Sequence, residues 1–175
     1  MLPAPCPSTP RAGPAAAGSN GGRLLPAWLA LTLVEEFGQE AEVIARNWAE
    51  RFGHLIDATG APLLAARHDE YGDVLQLLLE SAATPGSHPD NIARWIALSC
   101  MGQDHLWEDL GLPERPALSA LIARHFPGLH ARNTGNMRWK KFFYKQLCER
   151  AEVFACRAPS CAACSEYRVC FVTGN

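Results

Sequence analysis

The residues with the clearest chemical potential are four cysteines near the end of the chain. They are spaced C-x4-C-x2-C-x5-C and comprise Cys156, Cys161, Cys164 and Cys170. Thiolates this close together commonly share a metal ion, a cluster or disulfide bonds. As soft ligands they suit zinc, copper(I) and iron–sulfur clusters. The spacing therefore predicts a metal centre or a disulfide framework at this position.

The rest of the sequence favours metal over disulfides. The first residues lack the basic region and apolar run of a secretory signal, and no apolar stretch is long enough to span a bilayer. We therefore expect a cytoplasmic protein without membrane association, in a compartment that keeps thiols reduced. The chain also has seven cysteines, an odd number that fits poorly with a closed set of disulfides.

The spacing within the motif favours an iron–sulfur cluster over zinc. C-x4-C-x2-C is also the spacing of three ligands in plant-type ferredoxins. Structural zinc commonly uses two C-x2-C pairs separated by a longer insert, whereas this motif has one such pair, Cys161 and Cys164. Short zinc loops with four ligands exist, so a helical interaction module with a structural zinc stays open as the alternative.

Charge is divided unevenly along the chain, although the net charge is only −2. Residues 35–114 carry fifteen acidic side chains against four arginines, and residues 115–175 carry ten basic side chains against three glutamates. The cysteines therefore lie in the basic part of the sequence, which favours anions or an acidic protein surface as binding partners. The modest overall charge argues against nucleic acid.

Apolar residues recur at helical spacing through most of the chain, and no convincing alternating strand is present. The sequence predicts an all-α protein in three parts. These are a disordered Pro/Gly/Ala-rich leader at 1–23, a single helical domain at 24–154 and an irregular cysteine-rich metal loop at 155–175. The length of 175 residues suffices for a core that folds without metal.

Several details of the helices are predicted from single residues. Asp73 and Asp90 are candidate N-caps of two helices. Pro127 and Gly128 are expected to end the helix that precedes them. Cys100 shares an apolar helix face with Ile92, Trp95 and Ile96 and is interpreted as a small core residue.

The last predicted helix, residues 136–153, leads into the cysteine motif and has two opposed faces. One side is an apolar stripe that should pack on the core, formed by Trp139, Phe143, Leu147 and Phe154. The opposite face is expected to be solvated and carries Arg138, Lys141, Lys145 and Cys148. A sharper hypothesis is that this face binds an oxyanion or an acidic partner, with Cys148 as an auxiliary, transient thiolate ligand.

His105, Glu108 and Asp109 fall on one side of a short predicted helix. Imidazole and carboxylate groups bind metals, so His105 is a candidate auxiliary ligand. The alternative is a capped turn that packs Leu106 and Trp107 on the core. No role is assigned to the other histidines, which are His54, His68, His88, His125 and His130.

Two helical segments add to the cysteine motif a pattern that is typical of a known family. They are MGQDHLWEDLGL at residues 101–112 and NMRWKKFFYKQLC at residues 136–148. Together with C-x4-C-x2-C-x5-C, they resemble the NifQ family of nitrogen-fixation accessory proteins. The resemblance covers roughly residues 70–171, and the cysteine spacing shows no departure from the family pattern.

The resemblance implies a carrier of a molybdenum–iron–sulfur cluster and not an enzyme. Such a protein would supply molybdenum for the iron–molybdenum cofactor of nitrogenase, with molybdate as the incoming metal source. Its partners would be the scaffold complex on which that cofactor is built and the nitrogenase reductase. The cluster would be held by Cys156, Cys161, Cys164 and Cys170. A plain iron–sulfur protein is a further alternative.

Overall fold

The computed structural model describes residues 25–57 and 59–151, and these contain eight α-helices. In chain order the helices are α1 (Ala27–Phe37), α2 (Ala41–Phe52), α3 (His68–Leu79), α4 (Ser87–Cys100), α5 (Leu106–Asp109), α6 (Arg115–His125), α7 (Pro127–Arg132) and α8 (Trp139–Arg150). A 3₁₀ turn at Gly38–Glu40 joins α1 to α2. The described residues form no β-strand, only an isolated bridge between Ile56 and Pro62. The prediction of an all-α fold is confirmed.

The predicted leader at 1–23 and the predicted cysteine-rich loop at 155–175 lie outside the described residues. The boundaries of the three parts therefore stay predictions. Within 25–57 and 59–151, no helix combines the length and apolar character needed to cross a membrane.

Helix α4 is the centre of the fold. It packs against α1, α3 and α5, and α3 in turn packs against α8. From Ile92 to Cys100 every residue of α4 except Arg94 is buried. Burial raises the pKa of the Cys100 thiol to about 12, which keeps it protonated at neutral pH. The interpretation of Cys100 as a core residue is therefore confirmed.

A buried hydrogen-bond chain ties α2 to α4. The indole Nε1 of Trp48 donates to Ser99 Oγ at 2.9 Å, and that hydroxyl donates to the carbonyl of Trp95 at 2.8 Å. Because all three groups lie in the core, each bond satisfies a polar atom that water cannot reach. These two hydrogen bonds fix the position of α2 along α4.

Two of the predicted N-caps are wrong. Helix α3 begins at His68, so Asp73 lies inside it and does not cap it. Helix α4 begins at Ser87, so Asp90 lies in its first turn and does not cap it. The positive end of the helix dipole stabilises the negative charge of Asp90 there. Helix α6 ends at His125, before Pro127, as predicted. Pro127 also starts α7, because the first turn of a helix does not need the N–H that proline lacks.

Gly111, just after α5, allows a close approach between the chain and α2. Its φ is +74°, and a Cβ there would lie 2.8 Å from the carbonyl oxygen of Ile44 and 3.2 Å from the backbone nitrogen of Trp48. The left-handed conformation alone costs an L-residue about 1–2 kcal/mol, and the contact with backbone adds to it.

We expect Gly111→Ala to lower the free energy of unfolding by at least about 2 kcal/mol and the melting temperature by roughly 4–8 °C. Gly72→Ala is the matched control, because Gly72 lies inside α3 and a Cβ there meets nothing within 4 Å. That change should be neutral or stabilise by up to about 1 kcal/mol. Equal melting temperatures for the two variants would contradict the close approach at Gly111.

Candidate functional site

The four cysteines predicted as cluster ligands, at positions 156, 161, 164 and 170, lie outside the described residues. Their coordination therefore stays a prediction. Helix α8 is the last described element before them in the chain, and the structure shows how this helix is held.

Helix α8 is enclosed by the core on more sides than its apolar stripe predicts. Trp139 and Phe143 are buried as expected, while Leu147 is only half-buried. The complete set of buried residues on α8 is Trp139, Lys141, Phe142, Phe143, Tyr144 and Gln146. The stripe thus underestimates how much of α8 contacts the rest of the protein.

The prediction of a continuous solvated basic face on α8 is wrong. Lys141 is buried, with only 8% of its surface exposed. Lys145 is exposed and lies 3.7 Å from the carboxylate of Glu149 one turn later. Arg138 is exposed at the start of the helix, and Cys148 is half-buried near its end. The role of Cys148 as a transient ligand stays a prediction.

A buried ion pair fixes the start of α8 against α5. Lys140 Nζ is bonded to Asp109 Oδ2 and donates to the carbonyl of Gly102 at 2.9 Å. The other oxygen of Asp109 accepts a bond of 3.2 Å from Arg51 on α2. Burial raises the pKa of Asp109 above its ordinary value, while the hydrogen bond and charge of Lys140 oppose that rise.

A second polar cluster links α8 to α3. Arg67 binds both carboxylate oxygens of Glu70, at 2.8 and 2.7 Å, and donates to the carbonyl of Met101 at 2.6 Å. The hydroxyl of Tyr144 donates to the same carboxylate, and burial raises the pKa of this tyrosine. The two clusters therefore hold residues 101–112 against residues 136–148. These are the two helical segments that resemble the NifQ family.

His105 precedes α5, and its backbone N–H donates to Glu108 Oε2 at 3.0 Å. Leu106 is buried and Trp107 packs against the core. His105, Glu108 and Asp109 were predicted to share one side of the helix as possible metal ligands. In the structure, Glu108 caps the turn and Asp109 binds Lys140, so both carboxylates are used in structural contacts. This geometry fits the capped turn. A role for His105 as a ligand of the cysteine-bound cluster stays a prediction.

Beside this turn lies a cationic cavity of about 240 Å³. Its lining, drawn from α5, α6 and the start of α8, is His105, Leu106, Trp107, Arg115, Leu118, Arg138 and Trp139. Among these described residues two are arginines and none is acidic. Arg115 donates to the carbonyls of Asn136 and Met137, at 2.7 and 3.2 Å, and none of these acceptors is a carboxylate that would neutralise it. The cavity has the charge and polarity of an oxyanion site.

The structure also brings together a group that the sequence did not indicate. Glu36 lies between His88 and His125, which are 52 and 89 residues further along the chain. Among the described residues this is the one group of three or more His, Cys, Asp or Glu side chains whose ligand atoms lie within 4.8 Å of one another. Such separations leave no local motif, so spacing alone could not have revealed the group.

The described part of the chain defines an all-α protein whose last helix is fixed by two buried polar clusters. The profile of the NifQ family matches residues 15–172, a range that includes all four cysteines of the motif. The chain belongs to the NifQ family. Membership supports a role in nitrogen fixation and in the biosynthesis of the iron–molybdenum cofactor.

Individual relatives agree with the family match. The chain is 47% identical to Protein NifQ of Azotobacter vinelandii over 143 residues, which is 75% of this chain and 72% of the relative. It is 54% identical to Protein NifQ of Rhodobacter capsulatus over 83 residues, or 45% of this chain and 46% of the relative. Identity to Protein NifQ of Klebsiella pneumoniae is 48% over 82 residues, which is 48% of that relative. No solved structure matches the chain.

We expect Asp109→Asn to lower the free energy of unfolding by about 3 kcal/mol, because it leaves Lys140 buried without its counter-charge. The melting temperature should fall by roughly 6–12 °C in a protein of this size. Glu42→Gln is the control, since it breaks an exposed pair with Arg46 at 2.8 Å and should change stability by less than about 0.5 kcal/mol. An unchanged melting temperature in Asp109→Asn would show that the buried pair does not hold α8.

Proposed function

We propose that this protein is a cytoplasmic carrier that binds a molybdenum–iron–sulfur cluster as cargo and supplies molybdenum for the iron–molybdenum cofactor of nitrogenase. The cluster would be held by Cys156, Cys161, Cys164 and Cys170. The observation that carries the proposal is the family match over residues 15–172, a range that includes this motif.

The donor chemistry of the motif fits this cargo. Thiolates are soft ligands that suit iron–sulfur clusters, and the C-x4-C-x2-C part has the spacing of ferredoxin ligands. A carrier needs no catalytic acid, base or nucleophile, because transfer would proceed by exchange of protein ligands. The proposed recipients are the scaffold complex of cofactor assembly and, as a further partner, the nitrogenase reductase.

We also propose that the cationic cavity receives molybdate before its molybdenum enters the cluster. Arg115 and Arg138 supply planar guanidinium donors, which match the oxygens of an oxyanion better than a lysine does. The cavity includes the first residues of α8, the helix that precedes the cysteines in the chain. An anion bound in the cavity would therefore lie beside the start of α8, which precedes the cysteine motif in the sequence.

Anaerobic purification after growth with molybdate, followed by metal analysis and electron paramagnetic resonance, tests the carrier function. We expect iron, sulfide and molybdenum in the wild-type chain and loss of all three in the Cys161→Ser, Cys164→Ser double variant. The helical circular dichroism of that variant should stay nearly unchanged, because the described helices share a large apolar core.

Each other outcome of this experiment has a defined meaning. One zinc per chain without iron would replace the carrier with a structural zinc module. Iron without molybdenum, even after molybdate feeding, would leave a plain iron–sulfur protein. A large loss of helical signal in the double variant would mean that the metal supports the core, contrary to the expected independence of the helical domain.

The cavity is tested by the molybdenum-to-iron ratio after anaerobic reconstitution with limiting molybdate. We expect Arg138→Ala to lower this ratio several-fold while iron content stays unchanged, since the cavity acts on the anion and not on the thiolates. Lys145→Ala removes the same charge from the exposed side of α8 and should leave the ratio near that of the wild type. Equal losses in both variants would assign the effect to general charge and overturn the cavity proposal.

A further inference from the structure

Three helix ends meet at a cluster of imidazole and carboxylate groups, here called the histidine–glutamate cluster. It consists of Glu36 near the end of α1, His88 near the start of α4 and His125 at the end of α6. Glu36 Oε2 lies 2.9 Å from His125 Nε2 and 3.3 Å from His88 Nε2. One carboxylate oxygen thus faces the Nε2 atoms of both histidines.

These separations are close to those of ligands around a single metal ion. Bonds of about 2.0–2.2 Å in tetrahedral geometry place ligand atoms about 3.3–3.5 Å apart. The three ligand atoms of the cluster all lie within 4.8 Å of one another. Side-chain shifts of about one ångström would therefore bring them to bonding distance, without movement of the helices that carry them.

Two neighbouring residues orient the cluster in the way that metal sites require. His88 Nδ1 lies 2.7 Å from Glu35 Oε2, so Nε2 is directed toward Glu36. A carboxylate on the outer nitrogen of a metal-binding histidine is the usual second layer of such sites. Arg124 holds Glu36 Oε1 at 2.5 Å, which leaves Oε2 to face both imidazoles.

The burial of the cluster leaves one approach open. The side chains of Glu36 and His125 are only 6% and 11% exposed, whereas His88 is 29% exposed. The more exposed side, at His88, is therefore where a bound metal ion would keep room for an exchangeable ligand.

We propose that Glu36, His88 and His125 bind a divalent first-row transition-metal ion, of the Zn²⁺ or Fe²⁺ class, at a second site that does not involve the cysteine motif. Two imidazoles and one carboxylate are the donor set of zinc sites with an open position and of non-haem Fe²⁺ sites. The competing interpretation is a metal-free ion-pair network, in which His88, His125 and Arg124 all bond to the carboxylate of Glu36.

Cobalt(II) titration followed by visible absorption tests the proposal in the full chain with all four motif cysteines changed to serine. Circular dichroism first establishes that this chain is folded. We expect one Co²⁺ per chain, with bands typical of nitrogen and oxygen ligands and without a thiolate-to-cobalt charge-transfer band. Zn²⁺ should displace it, and the melting temperature should rise with Co²⁺ concentration.

The ligand assignment is tested with three variants and one control in the same background. His88→Ala and His125→Ala should each weaken Co²⁺ binding at least about a hundredfold. Glu35→Gln should weaken it roughly 10–100-fold through the orientation of His88, and this exposed change does not threaten the fold. His54→Ala removes an exposed histidine outside the cluster and should bind Co²⁺ like the parent.

Two results would overturn the proposal. The first is a folded parent chain that binds no Co²⁺ and shows no metal-dependent rise in melting temperature, which would establish the ion-pair network. The second is Co²⁺ binding that survives in both histidine variants, which would place the metal elsewhere. Because the four motif cysteines are absent from this background, neither result depends on the proposed cargo function.

Discussion

The buried pair of Asp109 and Lys140 is the constraint on which the arrangement around α8 depends. Removing both charges from water carries a desolvation cost, and the pair recovers it only because its remaining hydrogen-bonding capacity is used. Lys140 also donates to the carbonyl of Gly102, and Asp109 also accepts from Arg51. Gly102 makes this possible, because a Cβ there would lie 2.4 Å from the Asp109 carboxylate. The pair therefore specifies where α8 begins relative to α5.

Because the buried pair fixes the position of the start of α8, it also determines the shape of the cationic cavity. Arg138 and Trp139, at the start of this helix, form one wall, and His105 comes from the turn before α5 that the buried pair holds in place. Arg115 reaches the cavity from α6. The same wall is supported from α6, where Ser119 Oγ accepts a bond of 3.1 Å from the indole of Trp139. Loss of the pair would therefore loosen the proposed oxyanion site as well as the fold.

Sequence reasoning was accurate where a single physical signal dominated. The apolar spacing of Ile92, Trp95 and Ile96 identified the buried face of α4, since nothing competes with burial there. It was inaccurate where long-range contacts decide the outcome. The burial of Lys141 could not be predicted from the basic side of a helix, because it depends on neighbours from distant segments. The same limit applies to His88 and His125, which meet only when α4 and α6 pack around the end of α1.

The tertiary structure also changes the meaning of the uneven charge along the chain. Basic side chains of the later half are paired with acidic ones of the earlier half, as in Lys140 with Asp109, Arg124 with Glu36 and Arg150 with Glu80. These pairs weaken the positive field that the later half of the chain would produce alone. Attraction of molybdate, as proposed, would instead come from guanidinium groups whose described contacts include no carboxylate, and Arg115 and Arg138 supply two of them at the cavity. Local recognition has the further advantage that planar guanidinium groups distinguish an oxyanion from chloride, which a diffuse field does not.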